Sequence, residues 1–152
     1  MWPLRKKTST PSQIPVDGPW SIAEGQHSGR AMFVRTNIGY RKFGSVPGYE
    51  HQVGIAVPLR EAEVTGLPCP AEGALLGEVE DAICSSLGEQ AESLFVAVIT
   101  TCGMREFVFY TREPLRVQQR IEELRGRITS HEIKLMIQSD KAWRVYSQLC
   151  PA

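Results

Sequence analysis

Two apolar stripes at helical spacing, each opened by proline, flank a long β-type run, and this order leaves few folds open. Pro68 and Pro70 precede Leu75, Leu76, Val79, Ile83 and Leu87, and Pro114 precedes Val117, Ile121, Leu124 and Ile128. Proline is tolerated in a first helical turn, whose amides lack intrahelical acceptors, and residues three and four apart share a face. Each stretch is therefore expected to be a helix with one buried side. Between them, residues 94–101 are apolar and rich in β-branched side chains, Cys102-Gly103 suits a two-residue turn, and residues 105–111 return. The pattern predicts an antiparallel hairpin with Val98 opposite Phe107 and Val96 opposite Phe109.

A strand over residues 51–57, closed by Pro58, precedes the first helix. Another over 131–138 follows the second, with Ile133, Leu135 and Ile137 on one face. The order strand, helix, strand, strand, helix, strand, with right-handed crossovers, specifies an α+β ferredoxin-like sandwich, an antiparallel sheet carrying two helices on one face. Ahead of this βαββαβ core, strands at 20–24 and 30–37 around a loop at 25–29 form an N-terminal β-hairpin that extends the sheet. Residues 39–49 read as a solvated glycine- and proline-containing connection. Asp140 caps a short C-terminal helix carrying Trp143, Tyr146 and Leu149, expected at the end of the sheet. Residues 1–18, with three prolines among mostly polar side chains, read as a flexible arm before a single domain over 19–150.

The charges balance, 17 Lys plus Arg against 17 Asp plus Glu, which argues against nucleic acid or an anionic membrane as the partner. By region they do not. Residues 1–60 carry 8 basic and 3 acidic side chains, residues 61–100 none basic and 8 acidic, and the rest 9 basic and 6 acidic. The acidic block lies on the first helix and its lead-in. It is either a solvated face or a surface for a basic partner, which includes a second copy of the chain. Arg5, Lys6 and Lys7 are followed by polar residues rather than an apolar run, so an export signal is not expected. The longest uncharged apolar stretch, 94–104, falls short of the ~20 residues that span a bilayer, and the expected location is the cytoplasm. Cys69, Cys84, Cys102 and Cys150 form no Cys-x-x-Cys pair and His27, His51 and His131 are scattered, so neither a metal nor a cofactor is expected.

Two segments carry a family resemblance. Met104-Arg-Glu-Phe-Val-Phe-Tyr-Thr111 follows a Thr-Cys-Gly turn, and Asp140-Lys-Ala-Trp143-Arg-Val-Tyr146 comes about thirty residues later. With Arg35-Thr-Asn37 and Thr65-Gly-Leu-Pro68, their order and spacing resemble the bacterial family called domain of unknown function 695, over nearly all of the chain from Trp20 to Leu149. The resemblance implies a free-standing cytosolic protein, or a module beside a ferredoxin-like regulator of ribonuclease E. It implies no particular activity and no catalytic residues, and likeness of fold is not a statement of function.

Three constellations are candidates for chemistry. Cys102 sits in a turn with Arg105 close by, and a cation near a thiol favours the thiolate; His51 or His131 would have to supply the base. Arg35, Asn37, Arg41 and Lys42 surround a glycine-containing loop and can receive an anion, although the loop has no phosphate-cradle spacing. Tyr110, Trp143 and Tyr146 are aromatics that can anchor an interface if exposed. An RNA platform on residues 105–111 is disfavoured, because Glu106 repels phosphate and residues 51–57 contain no second stacking ring. The reading that emerges is a non-catalytic cytosolic interaction or regulatory module, acting on an unknown protein partner or as a homodimer. The alternatives are a thiol- or His-dependent enzyme and a ligand- or RNA-binding ferredoxin-like domain.

Overall fold

The computed structural model describes residues 18–150, so the arm expected over 1–18 lies outside the described residues except for Gly18. Its strands are β1 (Trp20–His27), β2 (Arg30–Asn37), β3 (His51–Pro58), β4 (Ser93–Thr101), β5 (Met104–Thr111) and β6 (Lys134–Ser139). The helices are α1 (Pro70–Leu87), α2 (Pro114–Arg127) and α3 (Arg144–Leu149). All six strands join one antiparallel sheet in the order β1-β2-β4-β5-β3-β6. No helix among the described residues is long and apolar enough to cross a membrane.

Both long helices begin on the prolines that announced them. Their stripes, Leu76, Val79, Ile83 and Leu87 on α1 and Val117, Ile121 and Leu124 on α2, are buried against Val53, Ile55, Val57, Val98, Phe107 and Phe109. Ile133, Leu135 and Ile137 join the same cluster from the β6 side. Leu75 departs from the expected stripe and is 42 % exposed, because α1 turns its Glu72–Leu76–Val79–Ile83 side to the sheet instead.

The structure corrects the sequence reading in several places. The first hairpin turns on Ser28 and Gly29 alone, with φ of 54° and 76°, so β1 continues to His27 where a five-residue loop was expected. Val98 does pair with Phe107, but Phe95, not Val96, stands opposite Phe109. A bulge inserts one extra residue between Phe95 and Ala97, which reverses the facing of the strand before it. Strand β6 begins at Lys134, not at His131.

The largest correction concerns the second face of the sheet. Residues 38–49 are not a solvated connection: a 3-10 turn at Ile38–Phe43 and the loop after it bury Tyr40, Val46 and Tyr49. Helix α3 does pack toward one end of the sheet, but flat on that face beside them, with Trp143 and Tyr146 packed on Val96, Ala97, Val108 and Tyr110. Asp140 caps it as expected, its two oxygens accepting the amides of Arg144 and Val145 at 2.9 and 3.0 Å.

Candidate functional site

Most of the candidate residues are used up in holding the fold. Trp143 is fully buried, stacked on Tyr110 at 4.1 Å, and its indole N–H donates to the Tyr49 carbonyl at 2.8 Å. Tyr146 donates to the Asn37 carbonyl at 2.6 Å, and Tyr110 donates to Asp140 Oδ2 at 2.7 Å. Asn37, 0 % exposed, caps the 3-10 turn by accepting the Gly39 amide. Burial first, and then the neighbouring carboxylate, push the Tyr110 hydroxyl well above its ordinary range, so it works as a neutral donor. These aromatics are therefore staples, not a recognition edge. Phe107 and Phe109 face the helices and are buried, which leaves no accessible ring there on which a base can stack.

The thiol–imidazole constellation does not assemble. Cys102 is exposed in its turn, where Sγ lies 3.8 Å from the His27 carbonyl. His51 pairs with Thr111 at the opposite end of the sheet, seven residues along β5 from Met104, or roughly 23 Å at ~3.3 Å per residue. His131 is buried, with its ring nitrogens 2.6 Å from Glu72 Oε2 and 3.0 Å from Ser130 Oγ. Glu72 also accepts the amides of Arg60 and Glu61 at 2.5 and 2.8 Å, so it ties the start of α1 to two loops. Burial pushes its carboxyl up, but the two amides and His131 outweigh this and hold it below the ordinary range. Glu72 escaped the sequence reading because it sits in a block of acids. The available signal was its position four residues before Leu76, in line with the buried stripe.

The acidic block is also less free than expected. Glu92 is buried and meets Arg116 and Arg120 at 3.3 and 3.5 Å, while Glu80 meets Arg35 at 2.5 Å. Arg41 and Lys42 lie exposed on the 3-10 turn, with the Lys42 ammonium 5.3 Å from the Phe43 ring centre.

What the structure does bring together is Arg35 and Arg105, which the sequence reading placed in separate constellations. The β1–β2 hairpin extends the sheet past β4 on its helix side, leaving a groove between α1 and the hairpin. Two cavities of about 360 and 230 Å³ share Arg35 as a common wall. The larger is bounded by Trp20, Leu94, Phe95 and Phe109, with Trp20 and Phe95 in ring contact at 5.1 Å. The smaller is bounded by Ile22, Phe33, Val98, Thr100 and Arg105. Gly73 and Gly77 fall on the same side of α1 as Glu80 and Cys84, and a Cβ at either would meet nothing within 4 Å. No helix side chain fills the groove at those steps.

The electrostatics of the groove are unequal. Arg35 is neutralised by Glu80 and lies over Trp20 at 5.3 Å. Arg105 donates through Nε to Thr100 Oγ1 at 2.9 Å and forms no ion pair among the described residues. Burial above all lowers its pKa; the nearby charge of Glu80 opposes this, Arg35 adds to it, and Glu72 opposes it to a lesser extent. Such a guanidinium is a half-buried cation with spare donors and no carboxylate in ion-pair contact among the described residues. Cys84, at the same wall, has its thiol pushed up to about 12 by burial and by Glu80 and Asp81, so it stays protonated and unreactive. A thiol-reactive probe at neutral pH is expected to label Cys102 well before Cys84, as peptide mass mapping would show.

No curated protein and no solved structure matches the chain. A family model does match, over residues 19–150, and by that span the chain belongs to the family of unknown function DUF695.

Proposed function

We propose that this chain is a non-catalytic interaction or regulatory module of the bacterial cytoplasm, and that the α1–hairpin groove is its recognition site. The occupant the groove fits is a segment of a partner protein bearing an Asp or Glu among apolar side chains. The observation that carries this reading is Arg105, a half-buried guanidinium with no ion pair among the described residues, in a groove whose walls are mostly apolar and aromatic beside the Arg35–Glu80 pair. A carboxylate entering there gains a charge-assisted hydrogen bond at a site already partly desolvated. The strand order β4-β5-β3-β6 with α1 and α2 as crossovers supports reading the core as a ferredoxin-like βαββαβ sandwich widened by the β1–β2 hairpin. In that reading the groove exists because the added hairpin outreaches the two helices.

A peptide array tests the proposal: single Asp or Glu residues among Leu, Phe and Val, printed beside the same peptides with Asn or Gln. Retention of the acidic series is expected. Arg105→Gln should weaken it about 10- to 100-fold, the loss that goes with one charged hydrogen bond. Gly77→Leu should abolish retention while making the helix more stable by roughly 0.5–1 kcal/mol, since leucine is the better helix former and nothing stands in its way. Equal retention of the acid and amide series, or none of either, sets the reading aside.

A further inference from the structure

The second face of the sheet is covered by α3 and the 38–49 segment at one end only. Toward the other end Met136 and Met104 are 44 % and 38 % exposed, and Ile99 and Ala56 are half-buried. Register places Ile99, Glu106, Ala56 and Lys134 side by side in one row across β4, β5, β3 and β6. Strands lie about 4.8 Å apart, so Glu106 and Lys134 stand roughly 10 Å from each other with the small Ala56 between them. The Glu106 carboxylate lies down on the sheet over Gly54, where a Cβ would collide with its Oε2. It has no hydrogen bond or ion pair among the described residues, and burial raises its pKa. A carboxylate laid on an apolar face without a cation is costly unless something covers and pairs it.

We propose that a second copy of this chain covers this face, in a two-fold dimer whose axis runs along β3 above Ala56. That operation exchanges the two sides of the row. It sets Glu106 of each copy against Lys134 of the other and leaves the apolar side chains between two sheets packed about 10 Å apart. A two-fold axis along the row would instead lay Glu106 on Glu106, so the charges select one orientation. The row is complementary to itself, which is the reason to name a second copy rather than a different basic protein.

Sedimentation equilibrium over a wide concentration range tests this, with circular dichroism to verify folding. The parent chain should dimerise reversibly. Glu106→Lys and Lys134→Glu should each weaken the dimer about tenfold or more by setting like charges together. The two single variants mixed in equal amounts should associate as well as the parent, and the double charge swap should do the same. Lys134 is exposed at the rim, so Lys134→Glu keeps the test open if Glu106→Lys does not fold. A parent that stays monomeric overturns the proposal, as does a dimer indifferent to both reversals. Failure of the mixture to associate also overturns it, for it would show that Glu106 and Lys134 meet within one chain or serve another partner. None of these outcomes depends on the groove.

Discussion

Replacing Glu72 by alanine is expected to cost about 3 kcal/mol of folding stability, a fall of roughly 6–12 °C in Tm for a chain of this size. The carboxylate is 4 % exposed and its His131 partner 0 %, so neither is rehydrated when the other is removed. Alanine leaves the amides of Arg60 and Glu61 and the His131 N–H without their acceptor. Glu72→Gln keeps the shape but turns an amide NH2 toward donors, and should cost less, about 1–2 kcal/mol. Acid separates the two effects. Because the folded carboxyl is held below its unfolded value of about 4.3, its stabilisation is complete above that pH and is lost as pH falls through the folded value. Thermal melts from pH 6 downward should show a shallower acid limb for Glu72→Gln than for the parent. Asp140, held low by the Val145 and Arg144 amides and Tyr110 against the effect of burial, adds acid sensitivity of the same sign in both proteins. An alanine variant as stable as the parent would show that the loop amides find water instead.

This clamp shows where a single sequence is legible and where it is not. Features decided within a few residues were readable: the prolines that open α1 and α2, the Cys102-Gly103 turn, and the alternation of Ile133, Leu135 and Ile137. The bulge was not, because Phe95 and Val96 are both apolar and alternation cannot say which one is the extra residue. The second layer on the sheet was hidden for a different reason. Tyr40, Tyr49, Trp143 and Tyr146 come from segments about a hundred residues apart, and a three-residue aromatic spacing tells which side of a helix is apolar but not which surface it covers. The groove depends on β2 lying beside β4, a choice of neighbour that no local pattern encodes. Arg35 and Arg105, seventy positions apart, meet only through that choice.

The same reasoning makes Trp143 the most sensitive side chain on the second face. Trp143→Ala is expected to cost about 3–5 kcal/mol, the range for emptying a large aromatic site in a packed core. The ring is stacked on Tyr110, meets Tyr40 and Tyr146 edge-on at 5.7 and 5.5 Å, and satisfies the Tyr49 carbonyl, so its removal opens a void and strands an acceptor. Trp143→Phe keeps most of the packing and forfeits the hydrogen bond, for a loss of about 1–2 kcal/mol. The backbone adds a test of its own. Trp143 has φ 58° and ψ 44°, a left-handed conformation that costs a non-glycine residue about 1 kcal/mol and is held here by the buried ring. With the ring gone, alanine retains that strain and glycine does not. Trp143→Gly should therefore be no less stable than Trp143→Ala, the reverse of the usual order within a helix. Chemical denaturation of the three variants would establish the ranking Phe, then Gly level with or above Ala. A glycine variant clearly weaker than alanine would mean that the turn before α3 relaxes out of the left-handed region once the indole is gone.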